Sequence, residues 1–337
     1  MQAILLNGKG EPRDVLTLGD TPAPPAPQEG HAVVRITKRA VHPADYLAIR
    51  GLLPTEAFVE NGIPGLDGVG VVEAIGAGVE PSTGVLPGAR VILYQGRRTW
   101  SERVMAPADA LAPLPDDIDD ATACQLGTNG VTAVMLLRLA EQAGSGADGD
   151  APLLVTVAGS NVARNIIGLA GLQGRRVIGL VRRHADAAAR AGHFSNVEVI
   201  GTDQEGWKAR VRGAAKHPIQ VAIDPIGGEM MPALLDLLAP GGTLITYGQM
   251  DPRPAAVSSG LLTSKALTIR GATAFGWARR TPRAQRDADY ERLFALARQT
   301  PPLFAGYREF PLAQAAEAIA AAEQSPRLGA TILVSGE

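Results

Sequence analysis

The stretch LLVTVAGSNVARNIIGLAGLQGRRVIGLVRR, residues 153–183, decides the fold. It reads as a strand over Leu153–Val157, a tight turn over Ala158–Ala163, a helix over Arg164–Gln173 and a second strand over Arg176–Val181. Two apolar strands joined by a glycine-bearing turn and an apolar-periodic helix are the first half of a dinucleotide-binding βαβ unit. The glycine fingerprint of such a unit, G-x-G-x-x-G, would fall on residues 158, 160 and 163, which here are Ala158, Ser160 and Ala163. Gly159 remains to turn the backbone, Asn161 visits positive φ more cheaply than most residues, and Ala163 is small enough to keep helix and strand close. The backbone amides around Gly159, Ser160, Asn161 and Val162 are expected to face a pyrophosphate at the helix start, aided by the helix dipole.

The residues that follow the second strand bear on which nucleotide. A site for NAD holds the ribose 2′-hydroxyl with a carboxylate at this point. This chain offers Arg182, Arg183 and His184, with no carboxylate before Asp186. A guanidinium fork matches a 2′-phosphate in charge and geometry, so NADPH is expected over NADH. The plainer reading is a solvated basic turn.

Composition excludes several classes. The 337 residues carry a net charge of −2, which gives no electrostatic case for nucleic acid or an anionic membrane. A single cysteine, Cys124, excludes a disulfide framework and a multi-cysteine zinc site and points to a reducing compartment. With no histidine or lysine near it in sequence, Cys124 reads as a small buried hydrophobe. No apolar run reaches membrane-spanning length. Met1–Leu6 reads as a first strand with no signal-peptide pattern, so a cytoplasmic location is expected. Asp116-Asp117 and Asp119-Asp120 read as solvated turns.

Residues 1–125 hold short strands between proline and glycine turns, at 32–36, 68–75 and 90–94, and form the first part of a β-rich catalytic domain. Residues 126–271 form the cofactor-binding domain. There a helical stretch near 123–139 and a polar connector at 144–152 lead into alternating strands and helices, and such alternation argues a parallel sheet wound on both faces. Residues 272–337 carry helices near 288–299 and 312–323 and a last strand at Ala330–Val334, and are expected to return to the first domain.

The order of these elements resembles the medium-chain dehydrogenase/reductase superfamily over nearly the whole chain. The resemblance rests on His42-Pro43-Ala44-Asp45-Tyr46, Pro64-Gly65-Leu66-Asp67-Gly68-Val69-Gly70, Pro87-Gly88-Ala89-Arg90-Val91, Gly130-Val131-Thr132-Ala133 and Asp224-Pro225-Ile226-Gly227-Gly228. It implies an α/β protein: a Rossmann doubly wound parallel sheet plus a β-rich GroES-like catalytic domain, with the cofactor in the cleft between them. Zinc alcohol dehydrogenases of this superfamily hold the metal with Cys, His and Cys. The corresponding positions here are His42, Leu66 and Thr128, of which one offers a good donor. The four-cysteine zinc lobe is absent as well. The chain therefore resembles the zinc-independent branch of quinone oxidoreductases and 2-enoyl thioester reductases, and no metal is expected.

Within that branch, Tyr247-Gly248-Gln249-Met250 and the lysine-bearing 261–265 segment are similar to the enoyl thioester reductases. The resemblance places Tyr247, Gly248 and Met250 near the nicotinamide, together with Asn129 and Thr132. Phe275 and Trp277 either line an acyl or ring pocket or pack a domain junction. The tyrosine of the enoyl reductases is Leu53 here, and the usual asparagine before proline is His42. Reducing a polarised alkene needs a proton and a donor to the carbonyl oxygen. His42 and Tyr46, four residues apart, are the candidates for that work, against a structural role for both. Asp45 reads as a brace for its turn.

The leading expectation is an NADPH-dependent, metal-free reductase of a small electron-poor alkene, enone or quinone. The alternatives are a 2-enoyl thioester reductase, a protein that binds NADPH without turnover, and a tailoring enzyme with a private substrate. The resemblance also implies a homodimer joined through the edge strand near 267–271.

Overall fold

The computed structural model describes residues 1–94, 96–144, 151–186, 194–324 and 329–336. Residues 145–150 of the polar connector lie outside the described residues. The chain divides into two compact units, Thr132–Ala274 and Met1–Val131 with Phe275–Glu337.

Thr132–Ala274 is built on a six-stranded, all-parallel sheet. Its order is Val197–Gly201, Val177–Val181, Leu153–Val155, Val221–Asp224, Thr243–Thr246 and Thr268–Gly271. The inner strands are nearly unbroken runs of Val, Ile and Leu because helices cover both faces and leave no wet side. Leu154, Ile178, Leu180, Ala222 and Leu244 pack with Val211, Leu234 and Leu235 from the helices Trp207–Ala215 and Met230–Leu237. Strand order reverses between Leu153–Val155 and Val221–Asp224, and the crevice beyond the carboxyl ends at such a switch is where ligands sit in open α/β sheets.

The deciding turn differs from its sequence reading. The first strand stops at Val155, and the helix spans Asn161–Leu172, three residues earlier than the expected start at Arg164. Ser160 is the N-cap, its side chain accepting from the Ala163 amide at 3.2 Å. A serine oxygen replaces a lost intrahelical partner there, so helical geometry begins at once. The positive φ falls on Val157, at 52°, and not on Gly159 or Asn161. A β-branched residue in that region is strained. It is held by the Ser160 amide donating to the Val157 carbonyl at 2.8 Å and the Ala158 amide donating to the Leu180 carbonyl at 2.9 Å.

The eroded fingerprint has a compensation on the neighbouring strand. A Cβ built on Gly179 would stand 2.7 Å from the Ala158 Cβ. The chain has moved the missing side chain across the interface: alanine occupies the turn because glycine occupies the strand beside it.

The other unit carries a mainly antiparallel sheet. Its order is Tyr307–Pro311, Ala330–Val334, His31–Ala40, Gly68–Ile75, Arg90–Leu93 and Leu111–Pro113, with Arg103–Pro107 also paired to His31–Ala40. The C-terminal strand thus adds to a sheet begun near the N-terminus, Leu333 opposite Arg39. Val34, Ile36, Val72, Val91, Leu93 and Val104 fill one core, and Ile4, Tyr46, Ile49, Trp100, Ile319 and Leu333 fill a second. Both layers match the expected α/β class with its GroES-like partner sheet.

Gly179→Ala should destabilise the protein by about 1–3 kcal/mol through overpacking against Ala158. Adding Ala158→Gly should recover most of that loss, because the two sites share one contact. Denaturant midpoints of the single and double variants check this, and an unrecovered double variant would refute the compensation.

Candidate functional site

In the Thr132–Ala274 unit the polar residues collect at the carboxyl ends of the parallel strands. Thr156 Oγ1 donates to Asp224 Oδ1 at 2.5 Å, and the Gly227 amide donates to Asp224 Oδ2 at 2.8 Å. Burial raises the Asp224 carboxyl above its usual range, and these two hydrogen bonds oppose the rise. The Tyr247 hydroxyl hydrogen-bonds Ser160, which joins two of the expected cofactor residues, and burial raises its pKa. Gly159, Ser160, Asn161 and Val162 are half-buried at the helix start. The first amides of any helix have no intrahelical acceptor, so this end offers donors to an anion. Gly248 lies against Pro225, and the Met250 amide donates to the Pro225 carbonyl at 3.0 Å, leaving the Met250 side chain 65% exposed.

The two arginines after the second strand divide their roles. Arg183 grips Asp186 with two bonds of 3.0 Å from Nε and Nη2. That pair cancels the carboxylate that would repel a phosphate. Arg182 is exposed, and its guanidinium makes no hydrogen bond or ion pair among the described residues.

In the other unit the centre is a buried carboxylate. His42 Nε2 stands 2.9 Å from Asp67 Oδ1, and the Thr128 amide donates to Asp67 Oδ2 at 2.7 Å. His42 is 3% exposed and Asp67 1%. A carboxylate only accepts, so Nε2 carries the proton in this pair and the ring orientation is fixed. A Cβ on Gly127 would stand 2.7 Å from Asp67 Oδ2, so only glycine there lets the carboxylate reach the helix start.

His42 is the N-cap of the helix Pro43–Ile49 and lies outside it, with Pro43 at the first helical position. Asp45 Oδ2 accepts from the His42 amide at 2.8 Å, which is the brace read from the sequence. Its carboxyl is pushed up to about 7, by burial first and by Asp67 nearby, against the pull of His42. Tyr46 is buried in a core cluster with Val41, Ile49 and Trp100, and the Arg50 guanidinium lies 5.7 Å from its ring centre.

Around these polar groups the wall is hydrocarbon. Leu66 packs with Ala48 and Phe58, and Ala44, Leu53, Ala57 and Val59 join the cluster. Phe275 meets Phe58 edge-on at 5.1 Å and is 46% exposed. Trp277 is buried, edge-on to Tyr94 at 5.5 Å. Asn129 and Thr132 are buried three residues apart, on one side of the helix Thr128–Gln142. Cys124 is buried, and burial pushes its thiol well above the usual range, which suits an inert side chain.

Asp67 and Asp224 belong to the sequence motifs Pro64–Gly70 and Asp224–Gly228, which by themselves assign these two acids no role. The available signal was an acid at the end of an apolar run in each case, Pro64-Gly65-Leu66-Asp67 and Val221-Ala222-Ile223-Asp224. Such a carboxylate is buried by its neighbours and must find donors. Among the described residues, no group of three His, Cys, Asp or Glu side chains is placed to hold a metal ion, and no helix is long and apolar enough to cross a membrane.

Two family models match the chain. The alcohol dehydrogenase GroES-like domain covers residues 28–116, and the zinc-binding dehydrogenase model covers 162–288. The mitochondrial enoyl-[acyl-carrier-protein] reductase of Bos taurus is 30% identical over 279 residues, 80% of this chain and 72% of that protein. A quinone oxidoreductase of Pseudomonas syringae superposes with a TM-score of 0.85 at 24% identity, covering 99% of each chain. A mycobacterial protein solved in complex with NADPH superposes with a TM-score of 0.83 at 25% identity, covering 99% of this chain and 100% of the other.

The Asp45 carboxyl gives a pH dependence with a defined sign. Its pKa of about 7 in the folded chain exceeds the usual 3.8, so between those values the folded form keeps a proton that the unfolded form has lost. The contribution to stability is full below about pH 4 and is lost as pH rises through about 7. Asp45→Asn keeps an acceptor for the His42 amide and should flatten that decline. Denaturant midpoints across pH 4–8 test it, and an unchanged slope in the variant would reject the assignment.

Proposed function

The chain belongs to the medium-chain dehydrogenase/reductase superfamily, in its quinone oxidoreductase and enoyl reductase branch, and from that premise we propose an NADPH-dependent, metal-independent reductase of electron-poor C=C bonds in quinones and enones. The observation that carries this reading is the hydrocarbon wall beside the His42–Asp67 pair. By the resemblance, Leu66 takes a metal-ligand position and Leu53 that of the enoyl-reductase tyrosine, and both pack in one cluster with Ala48 and Phe58. Such a wall cannot polarise an alcohol through a bound metal. It suits an apolar acceptor already activated by its own conjugated carbonyl.

The donor set fits the cofactor. Arg182, with no partner among the described residues, would hold the 2′-phosphate, and the helix start at Gly159, Ser160, Asn161 and Val162 would hold the pyrophosphate. The related mycobacterial structure with NADPH supports the choice of nucleotide. When bound, NADPH supplies the hydride. Tyr247 would fix Ser160 and shape the nicotinamide side with Gly248 and Met250, and Asn129 and Thr132 would contact the nicotinamide edge. His42, with its Nε2–H held by Asp67, would, when protonated on both ring nitrogens, present its Nδ1–H to the acceptor oxygen as charge builds there, and solvent would deliver the remaining proton, to carbon in an enone and to oxygen in a quinone. Phe275 and Trp277 would line the acceptor pocket. The strand Thr268–Gly271 is exposed along its length at the edge of its sheet, which supports pairing with a second copy.

The bovine relative favours a second reading, a 2-enoyl thioester as acceptor. Assays with a quinone, an enone and a short enoyl thioester separate the two. NADPH oxidation should be fastest with the quinone or enone and should survive chelation. A protein that binds NADPH and oxidises it with none of the three is a binding protein, and the reductase reading then fails.

Arg182→Glu should weaken NADPH binding about 10- to 150-fold, the worth of one charged hydrogen bond, and leave NADH similar. Arg183→Glu should do less, since Arg183 already serves Asp186. Dissociation constants at one ionic strength check both, and equal NADPH and NADH affinity in the unmutated protein would sink the assignment.

His42→Ala should lower kcat about 10²- to 10³-fold with little change in NADPH affinity, the cost of one lost donor to a developing oxyanion. Unchanged kcat would return His42 to a purely structural role.

A further inference from the structure

Three of the buried donors in the unit formed by Met1–Val131 and Phe275–Glu337 lie together and have no acceptor among the described residues. Trp277 Nε1, Arg286 Nε and Tyr290 Oη make no hydrogen bond, and each residue is more than nine-tenths buried. They come from two separate segments, the short helix Trp277–Arg280 and the long helix Arg283–Gln299. All three residues line one cavity of about 10 Å³, whose other walls include Tyr94 and the Asp109–Ala112 segment. Leaving one buried donor unmatched costs about 1–3 kcal/mol, and three around a single void is a concentration that a folded protein avoids.

We propose that this cavity is a binding site for one ordered water molecule, which bridges Trp277, Arg286 and Tyr290. Size is the first argument. A water needs roughly 10–15 Å³ of such space and two to four polar partners, and the cavity offers both. Donor chemistry is the second. The indole N–H and the guanidinium Nε–H can only donate, while a tyrosine hydroxyl donates or accepts. A water that accepts from Trp277 and Arg286 and donates to Tyr290 satisfies all three atoms. Charge is the third. The charged lining residues are Asp109, Arg283, Arg286 and Asp287, two of each sign. Arg286 is already paired with Asp109, its Nη2 2.6 Å from Oδ1 and its Nη1 2.8 Å from the Asp109 carbonyl, and Arg283 Nε stands 2.7 Å from Asp287 Oδ1. With the guanidinium charges answered, a neutral acceptor fits better than an anion.

The bridge has a structural consequence. Trp277 touches Tyr94 through its ring edge, and the water would fasten the polar edge of the same indole to the 283–299 helix. It therefore holds the segment that follows Phe275 by its far end, independently of what the protein reduces.

The test combines two conservative variants with one structure. Tyr290→Phe removes one partner of the water and keeps the ring, whereas Trp277→Phe removes a second partner and also shrinks the buried ring, so it is read through the double variant. Each should lower Tm by about 2–6 °C in a chain of this size. The double variant should lose less than the sum, because the two residues share one bridging molecule. If the cavity is dry, Tyr290→Phe removes an unmatched polar group and Tm stays the same or rises, and the losses in the double variant simply add. That result overturns the proposal. A crystal structure of the unmutated protein should show one peak within hydrogen-bond distance of all three atoms. Crystals grown in bromide should give no anomalous signal there, and a bromide peak would overturn the neutral assignment in favour of a halide. Failure of either variant to fold leaves the crystallographic readouts, which decide alone.

Discussion

The Asp67 carboxylate is the constraint on which the polar centre of the unit formed by Met1–Val131 and Phe275–Glu337 depends. It is buried and receives the His42 ring on one oxygen and the Thr128 amide on the other. A charge taken out of water costs several kcal/mol unless its lone pairs are met. Here the two donors that meet it come from different parts of the chain, the cap of the Pro43–Ile49 helix and the start of the Thr128–Gln142 helix. The carboxylate can reach both only because Gly127 presents no Cβ. One buried acid thus fixes the direction of a histidine, the entry of a long helix and the turn before the Gly68–Ile75 strand.

Asp224 does the same work in the Thr132–Ala274 unit. It ends a strand with no room for water and takes a hydroxyl from Thr156 and an amide from Gly227. Those bonds fix the loop that follows, and Gly248 and Met250 rest on that loop through Pro225. The cofactor residues expected along this edge are therefore held by a scaffold one layer beneath them. Tyr247 reaching Ser160 completes that layer, joining the end of one strand to the cap of a helix begun after another.

Around the Asp67 centre the chain has exchanged polarity for shape. Leucine stands at 66 and at 53, and the cluster they join is continued by the Phe58–Phe275 edge contact. Aromatic edges and leucine methyls bind apolar surface and direct nothing by charge. The directing groups that remain are few, and the tertiary structure orients His42 by an acid rather than by a metal ligand set.

Residues 153–183 by themselves determined the fold class. Strands made almost wholly of Val, Ile and Leu cannot face water, so they demand helices on both sides, and the glycine-bearing turn between them leads directly into the first of those helices. Other features depended on the folded chain. The cap at Ser160 and the strained φ at Val157 were not legible, since a turn's dihedrals are set by the strand it lies on, here through the Leu180 carbonyl. Nor was the reason for Ala158, which lies on Gly179, twenty-one residues away in sequence. The pairings of His42 with Asp67, of Asp67 with Thr128 and of Tyr247 with Ser160 span 25, 61 and 87 residues respectively. Periodicity and local propensity report on neighbours within a few residues. A buried carboxylate's partners are chosen by whichever segments the core brings beside it, and only the tertiary structure decides that.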